Sequence, residues 1–318
     1  MIYQEAFKKI QEARSILLLT HVNPDADTLG SALALYHQLR SMGKRCKVFN
    51  ATKLPYNLDF LPGIEKVSTQ IPNKYDLMVS FDAGDFKRLG IEERKAFLIN
   101  IDHHRSNTAY GDINLVEPDF AATAQVVYKL LRLNALSPTK EAALCLYTAL
   151  VDDCGFFKYE NVSEEVFEMA AELCRCGVEP HYVAKRLTMR EPLAKLRLVQ
   201  RLLETLELYH KGRVGVIRLT QEMLRATGAT KEMGDDGLSM VRSLATVEVA
   251  VLLREEEDGR IKVSLRSKDL VDVSRIALLF GGGGHKNAAG FTDGEDMEEL
   301  LKELLEKLAK EIGVETEE

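Results

Sequence analysis

Three short apolar runs in the first third of the chain, residues 15–20, 76–81 and 97–101, each deliver a cation-binding side chain at their ends: His21, Asp82 and Asp102. Runs of this length, closed by polar turns, read as buried strands. A further strand is expected at 46–50, and residues 28–43 between the first two strands show helical periodicity stopped by Gly43. Strands alternating with helices specify a parallel α/β sheet, whose strand carboxyl ends face the crevice where ligands bind. The pattern therefore gathers His21, Asp82 and Asp102 along one edge. Asp25 and Asp27 follow in the turn after the first run, and His103 and His104 follow the third.

Helices are expected over 121–134 and 139–152, and as a pair within 163–187 interrupted by Gly177 and Pro180. Residues 192–209 read as one periodic helix with Pro192 in its first turn, joining two domains. From Arg213 the grammar changes. Strands at 213–219, 247–254 and 260–266 surround a helical stretch near 236–245, and Asp258-Gly259 turns a hairpin. A helix near 272–279 leads into a glycine run, Gly281 to Gly284, and an amphipathic helix starts at Met297. The expected organisation is a parallel-sheet domain over 1–188, a helical connector over 189–209 and a smaller α/β domain over 210–318.

Composition narrows the function classes. With 318 residues, 46% hydrophobic and 29% charged, the chain fits a soluble protein of two domains. No run approaches the roughly 18–20 apolar residues of a membrane helix. Glu5 and Glu12 make the first residues unlike a secretory signal, so a cytoplasmic location is expected. The five cysteines include Cys174-x-Cys176 but no C-x-x-C pair, which points to reduced core thiols. A net charge of −7 leaves any nucleic-acid contact to a local basic patch and favours short polyanions over long ones.

Carboxylates and imidazoles in compact turns suit hard divalent ions; Mn²⁺ accepts both donor types, and Mg²⁺ prefers oxygen. Two ions roughly 3.5–4 Å apart need a shared carboxylate, and a strand-end aspartate such as Asp82 suits that role. Consecutive glycines let backbone amides approach an anion, and His285 and Lys286 add charged donors beside Gly282, Gly283 and Gly284. Arg266, ending a strand, is a second candidate for holding phosphate. Arg88 and Arg105 stand near the strand ends, and Phe156, Phe157 and Tyr159 offer rings for base stacking or for the core.

The segments HVNPDAD (21–27), DAGD (82–85), DHH (102–104) with Asn107, DCG (153–155) and GGGGHKNAAG (281–290) occur in that order. Together they resemble the DHH-family phosphoesterases that carry a DHH-associated C-terminal domain, in particular the oligoribonuclease/pAp-phosphatase (nanoRNase) group. The resemblance implies a parallel-sheet DHH domain, a smaller α/β substrate-binding domain and an active site in the cleft between them. It implies one metal ion on His21, Asp25 and Asp82, and a second on Asp27, Asp82, His103 and Asp153. Asp102 would orient the His103 ring from behind, and His104 would face the scissile phosphate or its leaving oxygen. Asp152 and Asp153 are adjacent at a helix end; matching the family's D-x-G pattern selects Asp153. Gln125 stands where the family usually has Glu, outside the ligand set.

The implied activity is two-metal hydrolysis of short oligonucleotides from the 5′ end to 5′-mononucleotides, with removal of the 3′-phosphate of pAp. A cyclic- or linear-dinucleotide phosphodiesterase is the alternative. A RecJ-like exonuclease, an inorganic pyrophosphatase and a non-catalytic nucleotide-binding module are further rivals. The implied partners are short RNA or DNA oligonucleotides, dinucleotides and pAp, with no membrane; the oligomeric state is left open, with the apolar helical surface at 121–208 a candidate face for a homodimer.

Overall fold

The protein is described by a computed structural model covering residues 2–268, 270–294 and 296–313. It divides into two compact units, Met1–Arg190 and Glu191–Glu318.

The first unit contains α1 (Ile2–Glu12), β1 (Ser15–Thr20), α2 (Ala26–Ser41), β2 (Arg45–Phe49), β3 (Val67–Ser68), β4 (Leu77–Phe81), β5 (Phe97–Asp102) and β6 (Ile113–Val116). Four helices complete it: α3 (Thr123–Leu133), α4 (Lys140–Asp153), α5 (Glu164–Arg175) and α6 (Pro180–Thr188). Its six strands pair in parallel in the order β3-β2-β1-β4-β5-β6. The order reverses between β1 and β4, so the connections leaving these neighbours diverge and open a crevice at their carboxyl ends.

Side chains alternate across the strands. Ile16, Leu18, Val79, Phe81, Ile99 and Ile101 join the helices in the main core. Leu17, Leu19, Met78 and Leu98 point to the other face, covered by loop residues such as Leu89, Phe86 and Tyr110. Strands buried on both faces explain the continuous apolar runs in the sequence. Close packing of α2 on α4 depends on Gly30: a Cβ there would lie 2.6 Å from the Cys145 carbonyl oxygen and 2.8 Å from Ala149 Cβ. All five cysteines are unpaired, with Cys145 and Cys154 buried.

The second unit contains α7 (Leu193–Glu204), β7 (Glu207–Tyr209), β8 (Val214–Leu219), α8 (Gln221–Thr227), α9 (Asp235–Ser243), β9 (Val249–Glu255) and β10 (Ile261–Ser267). It ends with α10 (Val273–Leu279), β11 (Gly283–His285), β12 (Ala288–Asp293) and α11 (Met297–Ile312). The sheet order is β11-β12-β10-β9-β8-β7, antiparallel except for β8 against β9. Val249, Val251 and Leu253 pack with α10 and α11, whereas Ala250 and Leu252 pack with α7 and α9. Helices thus cover both faces.

Two readings from sequence are corrected. The helix expected over 192–209 stops at Glu204, and Glu207–Tyr209 pairs as an edge strand with β8. Helical periodicity cannot detect a three-residue strand supported by cross-strand bonds. From Glu191 onward the segment read as a connector clusters with the second unit, where Leu198 and Leu202 are buried with Ile217 and Leu238. Within the glycine run, Gly283–His285 forms a short strand against β12, which the sequence reading does not expect. Among the described residues, no helix is long and apolar enough to cross a membrane.

Candidate metal centre

His21 follows β1, and its buried ring is oriented by its own neighbourhood. Nδ1 lies 2.9 Å from the Val22 carbonyl oxygen; donating there leaves Nε2 as the free ring nitrogen. That Nε2 stands 3.5 Å from Asp25 Oδ2 and 3.4 Å from Asp82 Oδ2. Asp25 also caps α2, accepting from the Thr28 amide at 3.1 Å.

His103 repeats this arrangement. Its Nδ1 lies 3.0 Å from the Phe120 carbonyl oxygen, and its Nε2 is 3.5 Å from Asp82 Oδ1, 3.4 Å from Asp153 Oδ2 and 4.0 Å from Asp27 Oδ2. Asp153 closes α4, and Asp27 lies in the first turn of α2, so the packing permitted by Gly30 brings the two helix ends together.

Asp82 stands between these groups. Its Oδ2 faces His21 while its Oδ1 faces His103. Its backbone is left-handed, with φ of 57°, a conformation that costs a non-glycine residue of order 1 kcal/mol or more and collects at functional sites. The Ile101 carbonyl accepts from its amide at 3.0 Å, and Thr123 Oγ1 donates to Oδ1 at 2.9 Å. Thr123 had no motif to mark it. It also donates its amide to Asp27 Oδ2 at 2.6 Å, and Ala124 N donates to Asp27 Oδ1 at 3.0 Å. The first amides of α3 thus hold a buried carboxylate, as a helix N-terminus favours. Gln125 fixes the start of this helix, its Oε1 accepting from the Ala121 amide at 2.7 Å. An amide oxygen accepts this bond without a carboxylate's charge, so the departure from Glu leaves the helix entry intact.

The triplet divides its labour differently from the sequence expectation. Asp102 does not hold the His103 ring, which the Phe120 carbonyl holds. Its Oδ1 accepts instead from His104 Nδ1 at 2.8 Å and from the His103 amide at 2.8 Å, and its Oδ2 accepts from Asn107 Nδ2 at 2.5 Å. Adjacent ring orientations fall outside what a one-dimensional motif encodes.

The electrostatics follow from crowded carboxylates. Burial and then Asp82 push Asp27 well above its usual range, and burial with Asp82 and Asp25 lifts Asp153 to about 8. Burial works against a charged His21, but bonds to Asp25 and Asp82 outweigh it and raise that imidazole to about 10. His104 is raised chiefly by its bond to Asp102. Such a site favours added positive charge. The donor atoms fit hard divalent cations: His21, Asp25 and Asp82 converge within 4.8 Å of one another, as do Asp27, His103 and Asp153, and Asp82, His103 and His104. Asp152 joins none of these groups.

The second unit brings two other candidates together. Arg266 and His285 both pair across strands with Ala288, so all three occupy one row and one face of the sheet. The intervening methyl leaves the two longer side chains without a bulky neighbour between them. A Cβ on Gly284, whose φ is +148°, would come within 2.5 Å of the Ala288 carbonyl, whereas a Cβ on Gly283 would meet nothing within 4 Å. The close hairpin therefore accounts for Gly284 and not for Gly283. Arg105 pairs with Asp119 at 2.7 Å, Phe157 stacks on Phe167 at 5.2 Å between centroids, and Tyr159 is half exposed.

Comparison with known proteins supplies the family. A model of the DHH family, N-terminal domain, matches residues 15–150, and one of the DHHA1 domain matches residues 222–312. The chain is 35% identical over 300 residues to the bifunctional oligoribonuclease and PAP phosphatase NrnA of Thermus thermophilus, covering 93% of this chain and 90% of the relative. It is 25% identical to the protein of the same name from Bacillus subtilis, covering 96% and 98%. The crystal structure of an exopolyphosphatase-related protein from Bacteroides fragilis matches with a TM-score of 0.90 at 26% identity, over 97% of this chain and 95% of that one. The chain belongs to the DHH family of metal-dependent phosphoesterases, with a DHHA1 domain after its DHH domain.

Proposed function

We propose that this protein hydrolyses short oligonucleotides from the 5′ end to 5′-mononucleotides and removes the 3′-phosphate of pAp, using two divalent metal ions. His21, Asp25 and Asp82 would hold one ion, and Asp27, Asp82, His103 and Asp153 the other. The reading rests above all on the two oxygens of Asp82, one turned to His21 and the other to His103. Mn²⁺ is the ion assigned, because imidazole is mixed with carboxylate, and Mg²⁺ is the comparison. The activity is that named for the relatives from Thermus thermophilus and Bacillus subtilis.

When bound, paired divalent ions lower the pKa of water and offset charge on the reacting phosphate. His104 presents Nε2 to the substrate while Asp102 holds Nδ1, so a proton at Nε2 is available to the leaving oxygen. The Val22 and Phe120 carbonyls keep Nε2 of His21 and His103 directed at the carboxylates. Arg266, His285 and the glycine segment at Gly282, Gly283 and Gly284 would hold the rest of the substrate. A cytoplasmic location and a homodimer belong to the same reading, and light scattering on purified protein tests the dimer.

The test is a substrate panel with Mn²⁺ and with Mg²⁺. Dinucleotides and pAp should be turned over, with mononucleotides appearing from the 5′ end. Preferred cleavage of cyclic dinucleotides or pyrophosphate would contradict the reading.

A further inference from the structure

The loop after β4 carries an arginine that the metal centre does not use. Its course is fixed at several points. Asp85 caps the short 3-10 helix Phe86–Leu89, accepting from the Lys87 amide at 2.8 Å, and Leu89 is buried. Gly90 ends the turn with φ of +65°, and a Cβ there would lie 2.6 Å from Ala51 Cβ and 2.8 Å from Val22 Cγ1. The Arg88 carbonyl accepts from the Val22 amide at 2.7 Å, tying this loop to the one that carries His21 and Asp25. The guanidinium is thereby delivered to His21, with Nη2 3.4 Å from Nδ1.

That contact does not satisfy the arginine. His21 Nδ1 already faces the Val22 carbonyl, and a nitrogen donating there cannot also accept. Among the described residues, no carboxylate lies within ion-pair distance of Arg88, although Asp25, Asp27, Asp82 and Asp153 crowd around His21 and His103. Arg105 differs, being spent on Asp119. Arg88 is therefore an exposed arginine on a fixed base, with no carboxylate partner among the described residues, one imidazole width from the atoms that would hold a metal.

We propose that Arg88 binds the non-bridging oxygens of the reacting phosphate, as the charged partner contributed by the first unit. A guanidinium presents paired N–H donors that match two phosphate oxygens, which a lysine cannot reproduce. The proposal rests on the metal-centre reading and adds to it a substrate contact on the His21 side. Because the contact is to the phosphate that reacts, it serves oligonucleotides and pAp alike. A residue reading the second phosphate of pAp would distinguish the two.

The experiment titrates Mn²⁺-loaded wild-type protein, Arg88→Ala and Arg88→Lys with inorganic phosphate, alongside Mn²⁺ binding and turnover of a dinucleotide and of pAp. Arg88→Ala should weaken phosphate binding by roughly ten- to a hundred-fold, the range for a lost hydrogen bond to a charged group. Arg88→Lys should recover part of this, Mn²⁺ binding should be unchanged, and both substrates should lose turnover by a similar factor. Unchanged phosphate affinity overturns the proposal. So does a loss of Mn²⁺ binding, which would make Arg88 a support for His21, and so does a defect confined to pAp. If wild type turns over neither nucleotide but Arg88→Ala still loses phosphate affinity, the substrate reading fails and the role of Arg88 stands.

Discussion

Asp102 Oδ1 lies 2.8 Å from His104 Nδ1, whereas the neighbouring His103 ring bonds to a backbone carbonyl. One histidine is thus aligned by a neutral acceptor and the other by a charge. The neutral partner suits a nitrogen whose task is to donate an electron pair to a cation. The carboxylate suits one that keeps a proton.

Asp102→Asn separates these roles. The carboxylate is the leading cause of the raised His104 pKa, so its loss should lower that pKa and move the alkaline limb of the pH–rate profile to lower pH. Turnover should fall by about a hundred-fold or more, the scale of general acid catalysis. Mn²⁺ content should remain near that of wild type, and atomic emission alongside the pH profile checks both.

The fold of the first unit was legible because its strands are buried on both faces and write themselves as apolar runs. The same logic placed His21, Asp82 and Asp102 together at strand ends. What escaped was support that leaves no pattern. Thr123 holds Asp82 and Asp27 from 41 and 96 positions away, and the Phe120 carbonyl that orients His103 is a backbone atom common to every residue. The strand Val67–Ser68 is too short for periodicity, and Gly283–His285 has a sequence that reads as loop. Between Asp152 and Asp153 the D-x-G pattern selects Asp153, and Asp153 is the one whose carboxylate groups with Asp27 and His103.

Gly30→Val tests how packing positions the centre. The new side chain would meet the Cys145 backbone, which cannot swing aside as a flexible side chain does. Stability should fall by about 1–3 kcal/mol, the usual range for overpacking. Parting α2 from α4 also separates Asp27 from Asp153, so Mn²⁺ affinity should drop with it. Urea denaturation and metal titration measure the two effects.

The carboxylate cluster sets a pH dependence for the metal-free protein. Asp153 at about 8 and His21 at about 10 both exceed their usual values of 3.8 and 6.5, so the folded state binds more protons than the unfolded one. The Asp153 contribution costs stability as pH rises from about 4 to 8. The His21 contribution is fully present below about 6.5 and disappears as pH rises through about 10. In chelator, therefore, Tm should fall between pH 5 and 9. Mn²⁺ should raise Tm most at the alkaline end, since binding displaces those protons. Thermal scans across this range, with and without metal, check the sign.

The central proposal is that Asp82 is shared by two metal ions, and metal stoichiometry in wild type and Asp82→Ala tests it most directly. Wild type should bind two Mn²⁺ per chain, and the variant should bind at most one, with turnover of dinucleotides and pAp reduced by roughly a thousand-fold or more. A single Mn²⁺ in the wild type, or two retained in Asp82→Ala with normal turnover, would contradict it.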